Sequence, residues 1–192
     1  MNNLFFNLSH PLLHNLNEGK TIKLGFKILF WLIGAASLLF ALYSVYHFFD
    51  VKMYKSISFD ENMRPKEGIN IWAFVFLIAT VFAHWIIFQI CWFRASTINQ
   101  TADSRFVVSA IFSIFIRAVG EIVSTYLVVI GFVTGLIALF SDVRNSMLLM
   151  DADLGVASIV VGPIIGFLII AVFYFIAERI SALTEIAVNT KK

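Results

Sequence analysis

The chain has 192 residues, of which 60% are hydrophobic and only 14% are charged, whereas a soluble globular domain carries about 25% charged residues. A chain this apolar has too few polar side chains to cover a surface in water. Its net charge of +2 provides no basic face, which argues against nucleic acid as a partner. We therefore expect a single membrane domain, residues 1–192, with the lipid bilayer as its surroundings.

The N-terminal segment, residues 1–19, precedes the first long apolar stretch. Leucines recur in it every four residues, at Leu4, Leu8, Leu12 and Leu16, and asparagines occupy many of the positions between them. This spacing places the leucines on one side of a helix. The pattern predicts a short amphipathic helix that lies on the membrane surface.

Four apolar stretches follow, and each is longer than the roughly 18 residues that indicate a membrane-spanning helix. They cover residues 24–49, 71–93, 106–140 and 155–177. Hydrocarbon offers no hydrogen-bond partner to the backbone, so such stretches form helices unless they close into a barrel, and they lack the alternating pattern of barrel strands. The predicted fold class is all-α: a polytopic membrane protein with four transmembrane helices and short amphipathic helices at both ends.

The segments between and after these stretches are short. Residues 50–70 contain Pro65 and Gly68, which predict turns and not a folded domain. The third stretch is 35 residues long, so it is either one long helix whose first turns lie near the headgroups, which we favour, or a surface helix that bends inward at Gly120. Residues 178–192 are predicted to form a cytoplasmic tail.

Lysine and arginine residues in short loops set the orientation of a membrane protein. Eight of them fall on the side of both chain ends and five on the opposite side. This bias predicts that the N- and C-termini are cytoplasmic, and we expect the membrane to be a bacterial inner membrane.

Polar residues recur inside the apolar stretches. Ser113, Arg117 and Glu121 are four residues apart and share one face of the third helix. Because charges in hydrocarbon are costly, this face should turn toward other helices, with Arg117 and Glu121 paired. Thr80 and His84 share a face of the antiparallel second helix at a similar predicted depth. The cluster is interpreted either as a structural lock that fixes helix register or as a proton or ion relay.

Small residues predict where helices approach closely. Ser158, Gly162 and Gly166 are four apart on the fourth helix, and Gly131 and Gly135 repeat this spacing on the third. Faces of this kind let two helix backbones pack together in a membrane.

No sequence motif for catalysis, nucleotide binding or metal binding is recognisable, so we expect no enzymatic activity, no metal and no cofactor. The leading hypothesis is a non-enzymatic integral membrane subunit that assembles as a homo-oligomer or with other membrane protein subunits. The alternative is a small channel or proton-coupled transporter that uses His84, Arg117 and Glu121.

Overall fold

The computed structural model describes residues 19–59, 65–101, 107–140 and 152–190. Its helices are α1 (Lys20–Asp50), α2 (Ile71–Gln100), α3 (Val107–Phe140) and α4 (Ala152–Asn189). Two short strands, β1 (Lys55–Phe59) and β2 (Pro65–Ile69), lie between α1 and α2. The predicted surface helix within residues 1–19 lies outside the described residues, except for Gly19.

All four helices are long and apolar enough to cross a membrane, which agrees with the predicted number of helical spans. Each helix except α3 extends beyond its apolar stretch. α2 continues for seven residues past position 93, and α4 continues without a break into the predicted tail. The apolar stretches therefore identified the helices but underestimated their lengths, because polar residues such as Arg94 or Glu178 are also good helix formers.

The third apolar stretch forms one continuous helix, α3, through Gly120. Gly120 has a packing role here. A Cβ atom at this position would lie 2.5 Å from the Cβ atom of Phe173, so only glycine fits at this backbone without displacing the phenylalanine. The predicted long helix is correct, and the bend considered as an alternative does not occur.

A β-hairpin replaces the simple turn that was predicted for residues 50–70. β1 and β2 pair antiparallel, with Lys55 opposite Ile69 and Phe59 opposite Pro65. Each strand has only five residues, and the charged and glycine residues of β2 gave no strand signal in the sequence.

Hydrogen bonds close the helix ends on both sides of this hairpin. Two residues after the end of α1, Lys52 has a left-handed conformation (φ 57°), and the amide of Met53 donates to the carbonyl of Phe48 at 3.0 Å. This six-residue closure satisfies carbonyls at a helix end. At the start of α2, the side chain of Asn70 accepts from the amide of Ala73 at 3.2 Å and caps the helix.

The chain divides into two compact units. Unit 1 comprises residues 1–35, 89–121 and 170–192, and unit 2 comprises residues 36–88 and 122–169. Unit 1 contains the beginnings of α1 and α3 and the ends of α2 and α4. Unit 2 contains the hairpin and the remaining part of each helix.

In unit 1, small and aliphatic side chains near the end of α2 and the beginning of α3 are fully buried, among them Ala95, Ile98, Ile111 and Ala118. Large apolar side chains on other faces, such as Phe93, remain exposed. Apolar exposure of this extent is what acyl chains cover in a membrane-spanning protein.

Candidate functional site

A buried ion pair joins α2 to α3 in unit 1. The Nε atom of Arg94 donates to Oε2 of Glu121 at 3.0 Å, and Nη2 of Arg94 donates to Oε1 of the same carboxylate. The two side chains are only 9% and 15% exposed. The planar guanidinium thus binds the carboxylate through two parallel hydrogen bonds, the strongest geometry available to this pair.

Tyr174 on α4 completes a three-residue cluster with this ion pair. Nη2 of Arg94 also donates to the phenol oxygen of Tyr174 at 2.9 Å, and the Tyr174 hydroxyl donates to Oε1 of Glu121 at 2.5 Å. Each of the three groups is therefore hydrogen-bonded to both of the others. The Arg94–Glu121–Tyr174 cluster holds three helices together, and loss of one member would leave a buried partner unsatisfied.

Arg117, which the sequence paired with Glu121, has a different position. Glu121 is paired with Arg94, whereas the Arg117 guanidinium lies over the ring of Tyr174, with its central carbon 5.3 Å from the ring centroid. Its Nε atom is buried and has no hydrogen-bond partner among the described residues. Arg117 therefore has cation–π stabilisation but no acceptor for its N–H groups.

Ser113 lies one turn before Arg117 and contacts α4. Its hydroxyl donates to the carbonyl of Ala177 at 3.0 Å and is 3.1 Å from the hydroxyl of Ser181. Ser113, Arg117 and Glu121 thus all contact α4, and this face of α3 is directed at protein.

His84 and Thr80 belong to unit 2. Nδ1 of His84 lies 2.8 Å from the carbonyl of Thr80, and Nε2 lies 2.8 Å from the hydroxyl of Tyr126 on α3. Because a carbonyl can only accept, Nδ1 carries a proton, and Nε2 of a neutral imidazole accepts from Tyr126. The hydroxyl of Thr80 donates to Phe76, not to His84. Since Arg117 and Glu121 belong to unit 1, the meeting of all these residues in one cluster stays a prediction.

The small residues of α3 and α4 lie against each other in unit 2. Gly162 faces the α3 backbone, where an added Cβ atom would lie 2.8 Å from the carbonyl oxygen of Leu127 and 3.3 Å from the Cα atom of Gly131. The hydroxyl of Ser158 donates to the carbonyl of Gly131 at 2.8 Å. An added Cβ atom would also lie 2.6 Å from Cγ2 of Val128 at Gly166, and within 2.6 Å of the backbone nitrogen of Ile159 at Gly135. These glycines permit backbone contact within the chain.

Two members of the Arg94–Glu121–Tyr174 cluster were not expected from the sequence. Arg94 directly follows an uncharged span of α2, and Glu121 directly precedes an uncharged span of α3. In two antiparallel helices such positions lie at the same level, and this signal could have paired them. Tyr174 gave no signal, because tyrosine is common near the ends of membrane spans.

Among the residues that the structure describes, no group of three or more His, Cys, Asp or Glu side chains is placed to hold a metal ion. Cys91, the only cysteine of the chain, is buried and unpaired. The chain matches no known protein family, no curated protein and no solved structure.

Proposed function

We propose that this chain is a non-enzymatic subunit of a membrane assembly, formed with copies of itself or with other membrane proteins. The observation that supports this role is the Arg94–Glu121–Tyr174 cluster. Its polar groups bind one another and join α2, α3 and α4. A network of this kind fixes the positions of helices, as expected of a structural component.

The small-residue faces do not support the association by themselves. They are engaged between α3 and α4 of the same chain, so contacts with other chains would use the outward apolar faces. A subunit role also fits the described part of the chain, in which the segment between α1 and α2 holds a hairpin of two five-residue strands. We further propose a bacterial inner membrane location with both termini in the cytoplasm, in keeping with the distribution of Lys and Arg.

The mass of the assembly tests the proposal. The tagged full chain is expressed at native level, extracted in a mild detergent and transferred to nanodiscs, where light scattering gives the protein mass per particle. We expect a discrete mass well above the 21.7 kDa of one chain, and crosslinking in intact membranes should give the same stoichiometry. A single chain per particle by both methods would refute the subunit role.

A small channel or proton-coupled transporter is the second candidate, and the contacts of His84 favour it. His84 and Tyr126 form a short hydrogen-bonded chain in a region of unit 2 in which residues 71–88 and 122–140 contain no Asp, Glu, Lys or Arg. The backbone carbonyl of Thr80 accepts from Nδ1 of His84 and orients the ring. Histidines inside a membrane take part in proton relays.

Proton flux into liposomes distinguishes the two candidates. A pH-sensitive dye inside proteoliposomes reports acidification after a pH jump, with empty liposomes as the baseline. The transporter hypothesis predicts flux that Tyr126→Phe abolishes, because phenylalanine cannot continue the hydrogen-bonded chain. The subunit hypothesis predicts the baseline rate for both the wild type and the variant.

A further inference from the structure

Charged residues of unit 1 adjoin the uncharged stretches of the four helices. Each helix has an uncharged stretch of 19 to 23 residues that ends or begins directly beside a charged residue of this unit. At about 1.5 Å per residue, these stretches span about 29–35 Å, which matches a hydrocarbon core of about 30 Å. The stretches are residues 28–49, 71–93, 122–140 and 155–177, and the adjoining charges are Lys27, Arg94, Glu121 and Glu178.

These charges place Arg117 near the edge of the hydrocarbon core, since its contact Tyr174 on α4 is only four residues from Glu178. Glu121 directly adjoins the uncharged stretch of α3, and Arg117 precedes it by four residues, or about 6 Å along the helix on the side away from that stretch. Lipid phosphates occupy this zone just outside the hydrocarbon. Arg117 is therefore within reach of a phosphodiester group without leaving its contact with α4.

Within the described residues, Arg94 is hydrogen-bonded to a carboxylate, but Arg117 is not. Arg94 is bound to Glu121 through two hydrogen bonds, whereas no residue in the described part of the chain accepts a hydrogen bond from Arg117. Only its Nε atom is fully buried, so its terminal nitrogens reach the protein surface beside the ring of Tyr174.

We propose that Arg117 and the Tyr174 ring beneath it form a binding site for a phosphate oxyanion, supplied in the membrane by the headgroup of a phospholipid. A guanidinium binds two phosphate oxygens at once, in the geometry that Arg94 uses for its carboxylate. The Tyr174 ring holds the guanidinium in place, and the Tyr174 hydroxyl is fixed by Glu121. The site requires insertion in a bilayer but is independent of the subunit role proposed above.

Native mass spectrometry of the purified full chain tests the site with defined probes. Phosphatidylglycerol, diacylglycerol with the same acyl chains, and inorganic phosphate are added separately to delipidated wild-type protein. We expect phosphatidylglycerol to bind and diacylglycerol, which has no phosphate, to bind at least about tenfold more weakly, since a charge-assisted hydrogen bond contributes about 1.5–3 kcal/mol. Equal binding of both lipids would overturn the proposal, and inorganic phosphate binding without lipid binding would overturn the lipid assignment.

Two single substitutions in the full chain test whether the lipid binds at Arg117. Arg117→Gln should weaken phosphatidylglycerol binding about tenfold. Arg179→Gln is the control, because Arg179 is exposed and also stacks on an aromatic ring, that of Phe175 at 4.8 Å. It removes the same charge and the same type of contact and should leave binding unchanged. An equal loss in both variants would show general attraction to basic residues and would refute a site at Arg117.

Folding of the variants is checked with the same samples. The thiol of Cys91 is buried in the folded chain, so resistance to a maleimide reports an intact structure. If Arg117→Gln fails this check, Arg117→Lys replaces it: a point charge cannot bind two oxygens in the plane of a guanidinium, and we expect severalfold weaker binding. Unchanged lipid binding in a folded Arg117→Lys variant would contradict the bidentate site.

Discussion

Replacing Glu121 by glutamine leaves the buried guanidinium of Arg94 without its countercharge. Both side chains are almost entirely enclosed, and removal of one partner from such a pair costs about 3–5 kcal/mol. The glutamine oxygen and the Tyr174 hydroxyl still offer acceptors to Arg94, so we expect the lower end, about 3 kcal/mol. This loss lowers the equilibrium constant for folding by roughly a hundredfold.

The double variant separates a specific pair from two independent effects. Arg94→Gln should also cost about 3 kcal/mol, because it leaves a buried carboxylate unpaired. Combining it with Glu121→Gln removes both charges, and the two amides can still form a hydrogen bond. We therefore expect a total loss of about 4 kcal/mol and a coupling energy of about 2 kcal/mol.

The only cysteine of the chain provides the assay. Cys91 is buried on α2, with 1% of its surface exposed, so a thiol-reactive fluorophore labels it when the helices separate. Labelling is followed against the fraction of a denaturing detergent to obtain the free energy of unfolding. Arg179→Gln, an exposed charge change, is the matched control and should lie within about 0.5 kcal/mol of the wild type. Strictly additive losses in the double variant would refute the claim that Arg94 and Glu121 form one unit.

Three further predictions concern other contacts. Tyr174→Phe removes the hydroxyl that links the ion pair to α4 and should lower the free energy of unfolding by about 1–2 kcal/mol in the Cys91 assay; an unchanged value would show that this hydroxyl is dispensable. Gly162→Ala forces a methyl group against the α3 backbone and should cost about 1–3 kcal/mol, whereas Gly25→Ala, where nothing lies within 4 Å, should stabilise α1 by up to about 1 kcal/mol; equal effects would contradict the close packing. Lys52→Gly should stabilise the end of α1 by about 1 kcal/mol, because Lys52 has a left-handed conformation that favours glycine; a loss of stability would contradict that conformation.

The amino-acid sequence by itself determined that the chain contains four helices long and apolar enough to cross a membrane, and where their apolar portions lie. This was possible because hydrocarbon satisfies no backbone hydrogen bond, so a long uncharged stretch has one stable conformation whatever its neighbours are. The same reasoning correctly gave α3 as one long helix. It did not give the hairpin between α1 and α2, because the proline, charged residues and glycine of β2 do not form the alternating apolar pattern of a strand.

Only the tertiary structure decided which polar groups are partners. Spacing along one helix suggested that Glu121 is the ion-pair partner of Arg117, since the two are four residues apart. A glutamate on α3 can equally reach a guanidinium on the adjacent helix. The packing of α2, α3 and α4 brings Arg94 to Glu121 and leaves Arg117 on the ring of Tyr174. Pair choice follows from the rotation and register of each helix, which depend on how side chains from different helices fit together and not on the periodicity of any one of them.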